Sequence, residues 1–570
     1  MRFRRLRSAL APVLLAGGLL AGPACAEGTG NPGAYLAAGV AAAEGDFTAA
    51  ARWYELALKD DPANPRLLDG AVIANLALGR MDAAATVAGA QNPPGQAGYL
   101  ALVDDASRRG DFARVLELTK ANPNGGALLD GLIIAWSELG QGRMSQALDG
   151  FDKLAKTKGF EAFGLYHKAL ALASAGDYEG ADDILSGRAA GPIGVMRRGV
   201  IAHAQILSQL EKNADAVALL DRSFGTDPDP QIDDLRRRLT AGEPVPFDIV
   251  RNATDGMGEV FFTLATALNG QADDAYTLLY ARIAADLRPD HTDALLLAAG
   301  LLEQLGQHDL ATEVYARIPT DSPIFHVAEM GRAEAAYNAG RKDAAIEILQ
   351  GLVRSHPDIL AIRTALGDTL RREERYAEAC EAYDAAIGLI GIRPDPMHWA
   401  IYFSRGICEE RMGEYDKAEA DMRQSLTLNP DQPQVLNYLG YSFVERRVNL
   451  DEALDMIQRA VAARPDSGYI VDSLAWAYFQ LGRYQDAVAP MEKASLLEPV
   501  DPVVTDHLGD VYWMAGRRRE AEFQWHRALS FSPTETDAAR IRLKLEKGLD
   551  AVLADEAARP GAAKALTDGN

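Results

Sequence analysis

LAWAYFQLGRYQDAVAPMEKASLLEPVDPVVTDH at 474–507 runs directly into LGDVYWMAGRRREAEFQWHRALSFSP at 508–533. The two stretches superpose with a step of 34 residues. Leu474, Gly482, Ala487, Met491, Ala494 and Pro499 recur as Leu508, Gly516, Ala521, Trp525, Ala528 and Pro533. The copy before them begins near Gly440, with Ala453, Ile457, Ala460 and Pro465 in the same places. Small residues at fixed places, a glycine between two helical patterns and a closing proline describe a helical hairpin repeated in tandem. One hairpin cannot bury its apolar face alone. The repeat therefore predicts an all-α stack in which each hairpin packs on its neighbours and a long curved surface remains free.

The residue types follow from packing. The first helix of each hairpin carries Gly or Ala at its eighth place (Gly406, Gly440, Ala475, Gly509), where a neighbouring backbone comes close. The second helix carries Ala at place twenty and a bulky side chain at place twenty-four (Tyr383, Met422, Ile457, Met491, Trp525). Small against large sets the interhelical distance. The Gly440 hairpin holds one extra residue between its helices, so its two halves are registered separately.

The register extends back through the chain with uneven clarity. Gly45, Phe47, Ala50, Tyr54, Ala57 and Pro62 form a good unit. Weaker ones centre on Gly79, Gly110, Gly142 and Gly176, and a sixth around Leu207–Leu220 lacks its turn glycine. From Thr226 to Gly258 the pattern lapses among Pro228, Pro230, Pro244 and Pro246, with a helix expected at Ile232–Leu239. The expected organisation is an N-terminal sub-array over 27–225, a linker or hinge over 226–257 and a C-terminal sub-array over 258–535. A capping helix over 536–553 and a disordered tail over 554–570 follow.

These residues resemble the tetratricopeptide repeat family, most specifically from about His291 to Pro533. The resemblance implies an all-α tetratricopeptide repeat solenoid, a superhelix of antiparallel helix pairs. Its first helices would line a concave face that holds peptides or extended segments of partner proteins. The runs Leu436-Asn437-Tyr438-Leu439-Gly440-Tyr441 and Asp472-Ser473-Leu474-Ala475-Trp476-Ala477-Tyr478 also resemble bacterial envelope members of the family. Some of those are outer-membrane lipoprotein adaptors of a carboxyl-terminal processing protease.

With places five, nine and twelve of the first helices taken as concave, the candidate protein-binding residues are Phe403, Asn437, Tyr441, Asp472, Trp476, Phe479, Asp506, Asp510 and Trp513. Aromatic rings with carboxylates beside them suit an extended chain bearing apolar and basic side chains. The competing role for such rings is packing against the adjacent helix. Nearer the N-terminus the corresponding places hold Tyr35, Gly39 and Ala42, which predicts a shallower groove.

No H-E-x-x-H, paired C-x-x-C, phosphate-cradling glycine loop or G-x-S-x-G occurs, so the reading is non-catalytic, with no cofactor and no metal. Cys380 and Cys408 fall at places that meet between successive hairpins. A disulfide or two buried thiols are the two outcomes there.

Arg2, Arg4, Arg5 and Arg7 precede the short apolar run Leu10–Leu20, and Pro23 precedes Ala24-Cys25-Ala26. That is the pattern of an export signal over 1–26, and it predicts a periplasmic protein. Lipidation at Cys25 is the alternative, which would place the chain on the outer membrane. Loss of four arginines and no acid takes the net charge from −23 to −27. Such a surface repels nucleic acid and anionic headgroups. The expected function is a periplasmic scaffold for protein partners, possessing the form of an adaptor for a protease or cell-wall enzyme. The alternative is an assembly factor or spacer in an envelope complex.

Overall fold

The computed structural model describes residues 31–558 apart from 192, 193, 195 and 226–228. The signal over 1–26, Cys25 and the tail from 559 lie outside the described residues. Within the described residues the chain forms thirty-one α-helices and one 3-10 turn, with no strand, as the all-α reading expects. It divides into two compact units, Met1–Ile318 and Pro319–Asn570.

In the second unit six hairpins follow one another, from Phe325–Asn338 with Lys342–Ser355 to Pro502–Met514 with Arg518–Leu529. The pairing of small with large residues holds in space. A Cβ on Gly367 would lie 2.6 Å from Tyr383, on Gly440 2.8 Å from Ile457 and on Gly509 2.4 Å from Trp525. Gly509→Ala is therefore expected to destabilise this unit by about 1–3 kcal/mol through overpacking, read as an earlier urea midpoint.

Between the helices of a hairpin the chain reverses through a left-handed residue, such as Gly482 at φ +72° and Gly516 at φ +84°. Where the sequence lacks that glycine, Glu211 (φ 61°) and Glu374 (φ 58°) adopt the same conformation. The turn thus survives at a conformational cost. The extra residue of the Gly440 hairpin is absorbed by two left-handed positions, Arg447 and Asn449.

The capping segment departs from expectation. It is two helices, Glu535–Lys547 and Leu549–Ala557, broken at Gly548 with φ +83°. Residues 554–557, expected in the tail, belong to the second of them.

The first unit stacks six hairpins, from Pro32–Ala43 with Phe47–Asp60 to Arg197–Gln209 with Asn213–Phe224, followed by the single helix Pro230–Thr240. Of the hinge expected at 226–257, residues 226–228 lie outside the described residues and 229–257 are a built-in part of this unit; the compact division falls at Ile318. Pro230 opens the helix Pro230–Thr240, and Pro244 and Pro246 lie in the extended segment after it, which stays packed. Val245, Ile249 and Val250 are buried, and the extended backbone finds side-chain partners. Ser208 Oγ accepts from Val245 N, Gln209 Nε2 donates to the Val245 carbonyl and Gln205 binds Asp248 at both ends. Residues 258–318, expected in the C-terminal sub-array, accordingly belong to the first unit.

Candidate functional site

First helices line the inner face of a hairpin stack, so the candidate site is that face in each unit. In the first unit it is already filled. The hairpin Ala253–Leu268 and Asp274–Leu287 folds back onto the first helices of the second to fifth hairpins: Pro65–Ala77, Gln96–Arg108, Ala127–Gly140 and Glu161–Ser174. Gly256 lies so near Trp136 that a Cβ would sit 2.3 Å from the indole. Arg282 Nε donates to the Ala77 carbonyl at 3.0 Å, and Thr254 Oγ1 to the Ser107 carbonyl at 3.2 Å. Burial, then Arg317, push the Arg282 guanidinium down to about 10.

Glu259 is the electrostatic centre of this hairpin at 1% exposure. It accepts from Tyr166 Oη and Arg198 Nε, each at 2.8 Å, with His291 Nε2 at 3.5 Å. Burial alone would raise its pKa. Arg198 and His291 outweigh burial and hold the carboxyl well below the usual range.

A second carboxylate at this seam has no such support. Asp104 is 1% exposed, and neither of its oxygens nor Asp286 Oδ2 has a hydrogen-bond donor. Burial and the facing Asp286 raise the Asp104 pKa, with Arg108 opposing. An acid whose folded pKa is raised contributes stability that is complete below its unfolded value, about 3.9. That contribution is lost as pH rises through the folded value. Asp104→Asn is therefore expected to leave stability unchanged near pH 4 and to gain about 1–3 kcal/mol at pH 8. Denaturant melts at the two pH values measure it.

In the second unit the nine candidate residues separate into two groups. At the C-terminal end the chain engages its own side chains. Lys544, 1% exposed, places its ammonium 2.7 Å from both Asp506 and Asp510. Trp513 donates to Asp550 Oδ2 at 2.9 Å, and Gly548 lies against its ring. Asp472 holds His507 at 3.0 Å. Burial would lower the His507 pKa, but Asp472 outweighs it and the pKa is raised. Trp476 and Phe479 are only 8% and 6% exposed. They stack at 4.6 Å, His507 covers the indole at 4.1 Å, and Trp476 Nε1 donates to Glu445. These six residues are packed within the unit, so the aromatic row read from the sequence is largely core at this end.

Phe403, Asn437 and Tyr441 are partly buried on the same face, with Phe403 packed on Trp399 and Tyr438. Asn437 Oδ1 is buried and has no hydrogen-bond partner. Upstream, a cleft of about 270 Å³ is lined by Met330, Glu334, Leu349, Ala365, Asp368, Thr369 and Arg372. Arg372 grips Glu334 with two bonds of 2.6 and 2.9 Å. The sequence reasoning named none of these cleft residues. The register reaches them, since Met330 falls at place five, and Glu334 and Asp368 at place nine. No register position reaches Lys544, which stands beyond the last repeat. Among the described residues, no group of three or more His, Cys, Asp or Glu is arranged to hold a metal. No described helix is long and apolar enough to cross a membrane.

The tetratricopeptide repeat family model matches residues 330–396, 403–468 and 446–495. TPR repeat-containing protein PA4667 of Pseudomonas aeruginosa is 27% identical over 202 residues, 35% of this chain and 33% of that protein. The chain thus spans about a third of that relative's length. Among solved structures, the Cut9–Hcn1 hetero-tetramer of the APC/C is similar at 16% identity, covering 90% of this chain and 96% of that one, with a TM-score of 0.38. Yeast Tom70 is similar at 11% identity, covering 94% and 99%, with a TM-score of 0.30. The 34-residue step, the small-on-large helix pairs and the matched family model together make this an all-α chain of stacked hairpins in which tetratricopeptide repeats are matched over 330–396 and 403–495.

Proposed function

We propose that this chain is a non-catalytic scaffold that binds a segment of a partner protein on the inner face of its second unit, between Met330 and Tyr441. The observation that carries this reading is Asn437. A buried amide oxygen without a donor is costly, and a turn of the Asn437 side chain on binding would bring it to a backbone N–H of the bound segment. Phe403 and Tyr441, on the same face, are partly buried rings whose remaining exposed edges are able to cover apolar side chains.

The setting we propose is the periplasm, resting on the export signal over 1–26, with an outer-membrane tether through Cys25 as the variant form. The resemblance of 436–441 and 472–478 to envelope proteins favours an adaptor that brings clients to a protease or cell-wall enzyme.

A photo-crosslinking residue at Phe403, in cells, tests the proposal together with fractionation. The expected result is a discrete protein adduct in the periplasmic or outer-membrane fraction. Asn437→Ala and Tyr441→Ala are expected to abolish it while the thermal melt stays in place. An adduct that survives both substitutions, or none at all, would overturn the assignment. One stoichiometric complex in place of changing clients would favour a spacer in an envelope assembly.

A further inference from the structure

Cys380 lies on the helix Tyr376–Ile390, and Cys408 on the helix Trp399–Arg411 that packs directly against it. Both thiols are free and buried in one apolar cluster with Leu366, Tyr383 and Ile401. Cys380 Sγ reaches across to the Arg405 carbonyl, one turn before Cys408, at 3.9 Å. The pair therefore bridges the joint between two consecutive hairpins. The 391–398 connection of that joint carries the exposed Ile392 and Met397.

The two sulfurs are unequal. The interaction between them raises the Cys380 thiol, and burial adds to this. The same interaction lowers Cys408 against the effect of burial, with Arg371 adding to the lowering. A thiolate-prone sulfur beside a second thiol is the arrangement of an attacking and a resolving cysteine. Their burial restricts the oxidant to a very small molecule.

We propose that Cys380 and Cys408 form a peroxide-oxidisable dithiol that closes to a disulfide and locks the joint between these hairpins. Cys408, as the thiolate, attacks one oxygen of hydrogen peroxide. The O–O bond breaks, hydroxide leaves, and Cys408 becomes a sulfenic acid. Cys380 then attacks that sulfur, the S–OH bond breaks, and its proton leaves with the hydroxide as water. Two thiols and one peroxide yield one disulfide and two waters; the sulfurs lose two electrons and the peroxide gains them. The bond ties the helix after Asp368 to the helix that carries Phe403. It thereby fixes the angle between those two parts of the inner face, and does so whether or not that face binds a partner.

The full chain is treated with hydrogen peroxide under native conditions, digested without reduction and mapped by mass spectrometry. The expected product is a linked pair of peptides bearing Cys380 and Cys408, two hydrogens lighter and restored by dithiothreitol. Melting of the second unit is expected to move upward, because a cross-link restricts the unfolded chain. With the peroxide-treated chains unfolded in dimedone, Cys380→Ala is expected to show a sulfenic adduct on Cys408, and Cys408→Ala to leave Cys380 largely unlabelled. Two alkylatable thiols after peroxide treatment, a link to Cys25 or to a second chain, or equal labelling in the two variants would each overturn the proposal. Should either variant fail to fold, the peptide map of the unsubstituted chain decides.

Discussion

Lys544→Met is expected to destabilise the C-terminal end of the second unit by about 3–5 kcal/mol. The ammonium sits between Asp506 and Asp510, both buried, and Trp525 Nε1 takes up the remaining face of Asp510 at 2.9 Å. Methionine preserves much of the packing volume but leaves two carboxylates without their closest cation. Arg540, at 3.6–3.9 Å, compensates in part. Hydrogen exchange should show the loss locally, as faster exchange over Glu535–Lys547 and Leu549–Ala557. The defect should shrink in acid, where protonated carboxyls no longer need a cation. It should also be largely repaired by adding Asp506→Asn and Asp510→Asn, since a buried charge cluster replaced as a whole costs far less than one broken by half. Exchange unchanged in the single variant would mean that apolar burial alone seats the two helices.

Glu259→Gln carries the second large effect, about 3 kcal/mol lost from the first unit. The amide keeps the shape and removes the charge that Arg198 and His291 face. Asp293 still holds Arg198 Nη1 at 2.9 Å, which sets the cost near the lower end of the range for breaking a buried pair. Because the folded pKa of Glu259 is depressed, its contribution is present above the unfolded value of about 4.3. It is lost as pH falls below that value toward the folded one. The wild-type chain should therefore weaken in acid more steeply than the variant, and their stability curves should converge. The probe is proteolysis or hydrogen exchange over 253–287, because two units do not melt as one transition. Parallel curves at all pH values would remove Glu259 from the account.

The candidate site was only half legible, for a physical reason visible at single residues. Place in the repeat picked out the positions Phe403 to Trp513 of the first helices as one face. It could not tell whether something else in the chain meets them there. Trp476, at place nine, is stacked beneath His507, whereas Phe403, at place five, packs on Trp399 and Tyr438 and keeps part of its ring exposed. Likewise Asp506 and Asp368 are both inward carboxylates, and only Asp506 has Lys544 upon it.

Taken alone, the sequence determined the hairpin, its turn and its packing partners. Those depend on contacts within 34 residues, where Gly509 must meet Trp525 whatever the rest of the chain does. Tertiary structure decided what the inner faces hold. The return of 253–287 onto the first unit and the insertion of Lys544 into the second are contacts between distant segments. Their driving force is burial of surfaces that the local repeat leaves uncovered, and no periodicity encodes which segment will cover them.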